Sequence, residues 1–321
     1  MTTVRWGILS TADIGMVKVT PAIQRAGNSE VVAIASRDFD RASAAAAQLL
    51  IPTAYGSYED LLAAADVDAV YIPLPNDLHS EWTAKAAAAG KHVLCEKPLG
   101  MTAAEARQMA AACDDAGVKL AEAFMYRHHP SWVEARKLVE EGAIGSLQAV
   151  QSWFSYYNDD PTNIRNRLEN GGGAIMDIGC YNINVSRMLF GAEPARIEAS
   201  VRRDPVMGID IVSSAVLEFP GGGQATFTCS TRAEDYQRVH IMGSTGRIEI
   251  EIPFNIPPDR ETRIFVTRGG ETETVTFPAA DQYTIQAELF AQAILDDTAV
   301  AVDIDDAIAN MEAIEAILTT A

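Results

Sequence analysis

The sequence predicts an α/β domain followed by an α+β domain with a large open, mostly antiparallel sheet. Up to residue 123, strand-like apolar runs alternate with helix-like segments, whereas from Ala195 to Phe277 strand signals follow one another directly. Strands that alternate with helices form a parallel sheet covered on both faces, and successive strands with short turns pair antiparallel. A chain of 321 residues also suffices for two domains at about 100–200 residues each.

The elements of the first domain follow from apolar patterning and turn residues. Short apolar runs predict five strands, Val4–Leu9, Val31–Ser36, Val70–Ile72, His92–Cys95 and Lys119–Ala123. The segments between them predict five helices, Asp13–Ala26, Asp40–Leu50, Glu59–Ala65, Ser80–Ala89 and Ala103–Ala116. Pro21 predicts a kink in the first helix, because proline lacks the backbone N–H that a helix interior requires.

The second domain begins with helices and continues as a sheet. Four segments have helical patterns, Ser131–Glu141, Ala174–Leu189, Gln282–Leu295 and Ile304–Leu318. The alternation in Arg247–Ile252 predicts strands with one buried and one wet face. We therefore place the domains at residues 1–123 and 124–321. Because helices cover only one face of this sheet, we expect a second copy to cover the other, in a homodimer or homotetramer.

Composition excludes several classes of protein. The net charge of −19 disfavours nucleic-acid and anionic-membrane partners. Apolar runs are much shorter than the about 20 residues of a membrane-spanning helix, and the first residues do not resemble a signal peptide. The 4 cysteines form no CxxC pair, and no histidines and carboxylates have the spacing of metal ligands. We expect free thiols, no metal site and a cytoplasmic location.

The loop after the first strand lies where dinucleotide-binding domains of the Rossmann type bind pyrophosphate. Such a loop offers backbone N–H groups and a helix N-terminus to the phosphates. Only Gly15 matches the glycine-rich pattern here, so an ordinary strand-to-helix turn is the alternative. The predicted cofactor-binding residues of this loop are Ser10, Thr11, Ala12, Asp13 and Ile14.

The end of the second strand indicates which dinucleotide binds. NAD-binding domains commonly carry an acidic residue there for the ribose 2′-hydroxyl. This chain has Ser36 and Arg37, with Arg41 one helical turn later. A hydroxyl and guanidinium groups suit a 2′-phosphate, so NADP is predicted over NAD. The alternative is a solvated surface arginine paired with Asp38 or Asp40.

Four motifs in order, covering essentially the whole chain, resemble one oxidoreductase family. They are Pro73–His79, Lys91–Leu99, which contains Glu96-Lys97-Pro98, Glu122–Arg127 and Gly171–Tyr181. Together they resemble the glucose-fructose oxidoreductase/inositol dehydrogenase (Gfo/Idh/MocA) family. Pro161–Arg165, and Tyr181 in place of a histidine, are similar to the NADP-dependent D-xylose dehydrogenase, dihydrodiol dehydrogenase and glucose-fructose oxidoreductase branch.

Three residues are the candidate catalytic groups. Lys97 ends a parallel strand, where open α/β sheets bind ligands, and the resemblance implies that the Lys97–Pro98 bond is cis. Tyr181 is the candidate acid/base, because a nearby ammonium lowers the tyrosine pKa from about 10. Asp177 lies four residues earlier on the same helix face and would orient Lys97 or bind a sugar hydroxyl. Each has a structural alternative. Lys97 would be a surface lysine, Tyr181 a tyrosine buried in helix packing, and Asp177 a charge that interacts with the helix dipole at its N-terminus.

Other candidates depend on the resemblance or on residue type. By resemblance, the predicted cofactor-side residues are Leu74, Pro75, Asn76, His79 and Glu96. A lone histidine such as His79 is also commonly a hydrogen-bonded structural residue. Aromatic faces and polar donors suit a polyhydroxylated ring, which predicts substrate contacts for Arg127, Trp153, Asn163, Arg165 and Tyr283. For each of these five residues, the alternative to a substrate contact is packing in the core or in an interface.

The predicted function is NADP-dependent oxidation of a small polyhydroxylated substrate. Hydride would leave C1 of an aldopyranose such as D-xylose or D-glucose and give a lactone. A trans-dihydrodiol dehydrogenase or a dicarbonyl-sugar reductase is the alternative within enzymes. A catalytically silent NADP-binding sensor or scaffold is the alternative outside them.

Overall fold

The computed structural model describes residues 2–319, and the chain folds into two compact units. The first unit runs up to Met125 and includes Tyr283–Ile308. The second unit comprises Tyr126–Gln282 and the chain from Ala309 onward. The predicted division at residue 123 differs in one respect, because Tyr283–Ile308 belongs to the first unit. The boundaries of independently folding domains stay a prediction.

The first unit contains a six-stranded parallel sheet in the order β3-β2-β1-β4-β5-β6. Its strands are β1 (Val4–Leu9), β2 (Ser29–Ala35), β3 (Thr53–Tyr55), β4 (Ala69–Ile72), β5 (His92–Cys95) and β6 (Leu120–Glu122). Its helices are α1 (Thr20–Arg25), α2 (Phe39–Leu49), α3 (Tyr58–Leu62), α4 (His79–Ala88) and α5 (Ala103–Asp115). This strand order is that of dinucleotide-binding folds, in which ligands bind outside the carboxyl ends of the strands.

The core of the first unit explains why a C-terminal segment belongs to it. Apolar side chains of β1, β2 and β4 form one buried cluster with α8 (Gln282–Leu295). The rings of Trp6 and Phe290 lie 5.6 Å apart, and Ala287 and Ala291 are fully enclosed beside them. The amphipathic pattern of α8 predicts that it is a helix, but not which of two sheets it covers.

The second unit contains an eight-stranded sheet in the order β14-β13-β12-β11-β7-β10-β9-β8. Its strands are β7 (Leu147–Tyr157), β8 (Arg196–Arg203), β9 (Asp210–Glu218), β10 (Gln224–Ser230), β11 (Arg232–Gly243), β12 (Gly246–Ile250), β13 (Thr262–Arg268) and β14 (Glu271–Phe277). Neighbouring strands are antiparallel except for the parallel pair β7 and β10. Its other elements include α6 (Pro130–Glu140) and α7 (Cys180–Phe190), and α9 (Ile304–Thr319) has residues in both units.

One face of this sheet is covered by α7, and alternation along β7 defines the two faces. Asn182 on α7 donates a hydrogen bond to Oγ of Ser152 at 2.8 Å. Phe154, two residues further along β7, packs against Tyr181 of the same helix. Successive strand residues point to opposite faces, so Gln151 and Trp153 lie on the face that α7 leaves open.

The predicted fold class is confirmed, and most predicted elements are found within one or two residues of their bounds. Two strands were not predicted, β3 and β7. The predicted helix Asp13–Ala26 is a π-helical turn, Gly15–Val19, followed by α1, whose first turn contains Pro21. Proline is favoured there because the first helical N–H groups have no partner within the helix. None of the helices between residues 2 and 319 combines the length and apolar composition needed to cross a membrane.

Candidate active site

The loop after β1 has the backbone form that a phosphate-binding turn requires. Ser10 has a φ of 139°, in the region that glycine favours, so it replaces the first glycine of the common pattern without changing the chain path. Its Oγ accepts a hydrogen bond from the backbone N–H of Ala12 at 2.9 Å. The N–H of Met16 then donates to the carbonyl of Ala12 at 2.9 Å, which starts the π-helical turn.

Two guanidinium groups and a hydroxyl lie at the ends of β1 and β2. Nη2 of Arg41 lies 3.5 Å from Oγ1 of Thr11. Burial raises the pKa of Tyr58, and the charges of Arg37 and Arg41 act against that shift. Both arginines therefore face the same hydroxyl. Two exposed cations with hydroxyl donors beside the pyrophosphate loop fit the 2′-phosphate of NADP.

Asp38 was the predicted alternative partner for these arginines. Its Oδ1 accepts the backbone N–H groups of Asp40 at 3.0 Å and Arg41 at 3.2 Å. Asp38 thus caps the N-terminus of α2, which is a common use of aspartate. Ser36 is buried, and its Oγ accepts from the N–H of Asp38 at 3.3 Å. Ser36 therefore shapes the turn that presents Arg37.

His79 joins the loop after β4 to the Lys97–Pro98 turn. Its Nδ1 lies 3.0 Å from the carbonyl oxygen of Pro98, and its Nε2 lies 2.9 Å from that of Leu74. The side chain is 0% exposed, and this burial lowers its pKa. The predicted cofactor-side role of His79 stays a prediction. The neutral ring donates to one of the two carbonyl oxygens, and its enclosed position between them links the loop of Leu74, Pro75 and Asn76 to the turn after Lys97.

Glu96 and Lys97 follow β5, and the Lys97–Pro98 peptide bond is cis, as the resemblance implies. Tyr71 on β4 donates its hydroxyl to Oε1 of Glu96 at 2.7 Å. Burial and then the charge of Glu96 raise the pKa of Tyr71 well above its usual value. Tyr71 therefore keeps its proton and orients Glu96. Beyond the proline, the N–H of Leu99 donates to Oε1 of Glu122 at 2.8 Å, which fixes the turn.

The glycines before α7 have a structural purpose. A Cβ on Gly173 would lie 2.1 Å from Oδ1 of Asp210, and the φ of Gly173 is +127°. A Cβ on Gly172 would lie 2.6 Å from the carbonyl oxygen of Arg165. Oδ2 of Asp210 accepts the N–H of Ile175 at 2.8 Å. The glycines thus let a buried carboxylate reach the helix start, and the helix carries Asp177 and Tyr181.

Asp177 lies in the π-helical turn Ile175–Gly179 and is held from two sides. Its Oδ1 accepts Nε of Arg165 at 3.2 Å, with side-chain exposures of 44% for Arg165 and 14% for Asp177. Its Oδ2 accepts the hydroxyl of Tyr156 at 2.5 Å. Burial and then the charge of Asp177 raise the pKa of Tyr156 well above its usual value. Sequence reasoning identified Asp177 and Arg165 but not Tyr156.

Tyr181 belongs to an aromatic cluster on the covered face of the second sheet. Ring centroids lie 5.2 Å away for Phe254, 5.6 Å for Phe154 and 5.9 Å for Tyr126. Such tilted and edge-on contacts stabilise a ring in one orientation. The Tyr126 hydroxyl also donates to Oδ1 of Asn184 on α7 at 2.6 Å. The cluster therefore fixes the ring of Tyr181, whose exposure is 6%.

The remaining predicted substrate residues are dispersed. Arg127 donates from Nη1 to Oδ1 of Asn184 at 3.4 Å, near the aromatic cluster. Oδ1 of Asn163 accepts the backbone N–H of Arg165 at 3.0 Å, so Asn163 shapes the turn before the glycines. Tyr283 packs against the core of the first unit. Their contacts with a substrate stay a prediction.

Trp153, whose predicted contact with a substrate stays a prediction, lies in strand β7. It is the strand neighbour of Phe154, so alternation turns it to the open face of the sheet, opposite Tyr181. Its side chain is 40% exposed, and its Nε1 donates to Oγ of Ser155 at 2.9 Å. The residue type suggested sugar stacking, whereas the strand register decides where the ring points.

Within residues 2–319, no His, Cys, Asp and Glu side chains are grouped in a way that suits a metal ion.

The residues that sequence reasoning missed are the tyrosines that contact other groups of the site, namely Tyr58, Tyr71 and Tyr156. Each lies far along the chain from the group that it contacts. The sequence did contain a signal for Tyr156. If Leu147–Tyr157 is a strand, alternation places Tyr156 on the same face as Phe154.

Comparison with known proteins assigns the chain. The model described as "Oxidoreductase family, NAD-binding Rossmann fold" matches residues 4–124, and that of the GFO/IDH/MocA C-terminal domain matches residues 132–249. The chain belongs to the GFO/IDH/MocA family of oxidoreductases. This agrees with the strand order of the first unit and with the motifs at the ends of β4, β5 and β6.

Two curated relatives of this GFO/IDH/MocA oxidoreductase are named dehydrogenases. The D-xylose 1-dehydrogenase (NADP⁺) 2 of Haloferax volcanii is 42% identical over 317 residues, which cover 98% of this chain and 97% of that protein. The trans-1,2-dihydrobenzene-1,2-diol dehydrogenase of Mus musculus is 35% identical over 251 residues, which cover 77% of this chain and 74% of that protein.

A solved structure of high similarity is KijD10, a 3-ketoreductase from Actinomadura kijaniata in complex with NADP and TDP-benzene. Its TM-score is 0.93 at 31% identity, with 99% of this chain and 98% of that chain covered. Two further structures of this reductase carry a substitution of one tyrosine or of one lysine. These two positions lie as far apart in its chain as Lys97 and Tyr181 lie here.

Proposed function

We propose that this oxidoreductase transfers hydride from C1 of an aldopyranose to NADP and releases a lactone. The observation that carries the proposal is the near full-length similarity to a D-xylose 1-dehydrogenase that uses NADP⁺. D-Xylose and D-glucose are the substrates to test first. The dihydrodiol dehydrogenase relative also acts on a hydroxylated ring, which supports a polyhydroxylated substrate class.

The first unit supplies the groups that would hold NADP. Arg37 and Arg41 would bind the 2′-phosphate together with the hydroxyl of Thr11, and the loop from Ser10 to Ile14 would offer N–H groups to the pyrophosphate. The relatives with NADP in their names support this choice over NAD. The loop that His79 positions, with Leu74, Pro75 and Asn76, would contact the remaining part of the cofactor.

A bound nicotinamide supplies the hydride acceptor, and the chain supplies proton transfer and orientation. Tyr181 takes the proton of the reacting hydroxyl as the general base. The ammonium of Lys97 would stabilise the oxygen that becomes negative as the proton leaves. Separate structures of the solved reductase carry a substitution of one lysine or of one tyrosine at the same separation along the chain, which supports the choice of Lys97 and Tyr181 here. Tyr156 is unsuited as the base, because the raised pKa keeps its proton in place.

Two other functions have specific support. Oxidation of a trans-dihydrodiol requires the same base and the same hydride acceptor, and a dihydrodiol dehydrogenase is among the relatives. Reduction of a keto sugar is the same chemistry in reverse, and the solved neighbour is a 3-ketoreductase. A silent NADP-binding sensor has no chemical need for the cluster around Asp177 and Tyr181, so we rank it last.

We also propose that the protein acts as a homodimer or homotetramer, formed through the open face of the eight-stranded sheet. This face has Trp153, 40% exposed, and Tyr236, 49% exposed. It also has charged groups of both signs, Glu198 and Arg238, and the imidazole of His240, around one groove. A mixed face of this kind suits a partner with the same surface, as twofold symmetry provides.

The deciding experiment is absorbance at the reduced-nicotinamide band with NADP and NAD offered separately. The substrate panel contains aldopentoses, aldohexoses and trans-diols. Growth of the band with NADP and an aldose is the expected result. Growth with a diol alone selects the dihydrodiol function, and growth only with NAD contradicts the proposed use of the two arginines.

The Lys97→Met variant tests the catalytic assignment. It removes the ammonium but keeps a side chain of similar length, so turnover should fall by about three orders of magnitude or more while NADPH binding persists. The control is Lys85→Met, which removes surface ion pairs to Glu59 and Glu81 and the contact of the ammonium with the ring of Trp82. Unchanged turnover in Lys97→Met, with the control also active, would refute the assignment.

A further inference from the structure

Strand β7 presents two side chains to the helical segment that carries the candidate catalytic residues. Phe154 packs edge-on against Tyr181, with ring centroids 5.6 Å apart. Two residues later, Tyr156 donates its hydroxyl to Oδ2 of Asp177 at 2.5 Å. One strand face therefore contacts both groups, one through a ring and the other through a hydrogen bond. Phe154 accounts for the position of Tyr181, and the purpose of the Tyr156 hydroxyl needs an explanation of its own.

The hydrogen bond from Tyr156 has one possible direction. A phenol beside a carboxylate donates, because an ionised carboxylate has no proton to give. Burial and the charge of Asp177 raise the pKa of Tyr156, so the phenol keeps its proton throughout the neutral range. Hydrogen bonds donated to a carboxylate favour its ionised form. Tyr156 thus donates its proton to the hydrogen bond with Oδ2 of Asp177, and Asp177 accepts it.

The partners of Asp177 include one anchored in a strand, Tyr156, and one open to solvent, Arg165. Tyr156 is anchored within β7, between β11 and β10. Arg165, which holds the other oxygen at 3.2 Å, belongs to the turn before the glycines and is 44% exposed. Asp177 itself keeps 14% of its side-chain surface exposed, so small polar groups reach it. The strand therefore determines the direction of the carboxylate.

We propose that Tyr156 is a positioning residue that orients Asp177 to accept a hydrogen bond from the substrate hydroxyl next to the reacting carbon. This inference rests on the proposed function, since it assigns a further property to the same site. It predicts that the enzyme prefers substrates with two neighbouring hydroxyl groups. A substrate that lacks the second hydroxyl forms one charge-assisted hydrogen bond fewer with the oriented carboxylate, which reduces binding.

Tyr156→Phe tests the inference, because it removes one oxygen and leaves the ring in place. The matched control is Tyr157→Phe, the next residue, whose exposed hydroxyl donates to Oδ2 of Asp159 at 3.1 Å. The measurement is kcat/KM for D-glucose and for 2-deoxy-D-glucose, with KM for NADP and the thermal unfolding temperature of each variant. The wild-type preference for D-glucose should be about tenfold or more, as one hydrogen bond to a charged group is worth about 1.5–3 kcal/mol.

In Tyr156→Phe, activity on D-glucose should fall about tenfold, activity on the deoxy sugar should change little, and the preference should nearly vanish. KM for NADP should stay constant, and Tyr157→Phe should match the wild type. An unchanged preference in Tyr156→Phe overturns the inference and leaves the proposed function intact. A wild type that oxidises no aldopentose and no aldohexose refutes the proposed aldose function, and the inference with it.

A double-mutant cycle keeps the test decisive if Tyr156→Phe loses stability. Asp177→Asn should lower the preference in the same way, and Tyr156→Phe combined with Asp177→Asn should add little to it. Residues that act through one another are non-additive. Additive losses of preference in the double variant would instead mean that Tyr156 acts independently of Asp177, which overturns the inference.

Discussion

Arg37 and Arg41 are the two side chains to which we attribute the proposed use of NADP. The protein has 44 acidic and 25 basic residues, yet Arg37 and Arg41 both lie close to residues at the ends of the first two strands, Arg41 beside Thr11. A pair of exposed cations attracts a doubly charged phosphate and gains nothing from a ribose hydroxyl. On this proposal, the choice of NADP depends on two side chains rather than on the fold.

Arg37→Ala and Arg41→Ala should each raise KM for NADP while leaving KM for NAD nearly unchanged. Each loses a charge-assisted interaction of about 1.5–3 kcal/mol, which corresponds to an increase of about tenfold to hundredfold. Steady-state kinetics with both cofactors measures the effect. Arg268→Ala, which removes a surface ion pair with Glu273, is the control. Equal losses with NADP and NAD would show that the arginines do not contact the 2′-phosphate.

At the scale of elements, helix α6 begins with a capping residue, His129, whose ability to accept a hydrogen bond depends on its protonation state. Nδ1 of His129 accepts the backbone N–H of Ser131 at 3.2 Å and lies 2.8 Å from its Oγ. Burial lowers the pKa of His129 to about 4. The folded protein therefore holds this imidazole neutral, and a protonated ring would lose the acceptor that caps the helix.

The free energy of unfolding should fall as the pH drops from about 6.5 to about 4. In that range the unfolded chain binds a proton at His129 and the folded protein does not, so acid favours unfolding. The contribution of His129 to the free energy of unfolding is complete above about pH 6.5. At most about 3 kcal/mol of it is lost by the time the pH reaches about 4. Urea denaturation at several pH values measures it. His129→Asn, a cap without a titrating group, should flatten this dependence, and His240→Asn should not. Parallel curves for all three proteins would contradict this account.

The sequence predicts best those elements whose side chains all lie in the same environment, such as strands buried on both faces. The buried parallel strands β1, β4 and β5 read as continuous apolar runs and were predicted close to their bounds. In β7, Ser152 faces the helix because Asn182 donates to it, and Trp153 faces the open side. The alternation of apolar and polar residues is thereby broken, so β7 was not predicted and the sequence did not indicate which face Trp153 occupies.

The same limit applies to the site. Motif residues at strand ends, such as Glu96 and Lys97, were found because their place in the fold follows from strand order. The tyrosines that orient Glu96 and Asp177 were not found. Tyr71 and Glu96 are 25 residues apart along the chain, and Tyr156 and Asp177 are 21 residues apart. Only the register of β4 and β7 against their neighbours brings these hydroxyls to the carboxylates, and local patterns carry no information about that register.

At the scale of the whole molecule, the open sheet face is the surface that most needs a partner. Between β11 and β8 it has two exposed aromatic rings, Trp153 and Tyr236, among serine, threonine and charged side chains. Exposed aromatic rings within a polar surround are typical of interaction surfaces. Sedimentation velocity at micromolar concentration should therefore show a dimer or a tetramer.

Trp153→Glu should shift that equilibrium towards the monomer, because it removes the largest exposed ring and buries a charge against the partner. Leu50→Glu, at an 87% exposed position on the first unit, is the control and should leave the assembly unchanged. A wild type that sediments as a monomer would refute the assembly itself. An assembled Trp153→Glu variant would show that the subunits meet on another surface.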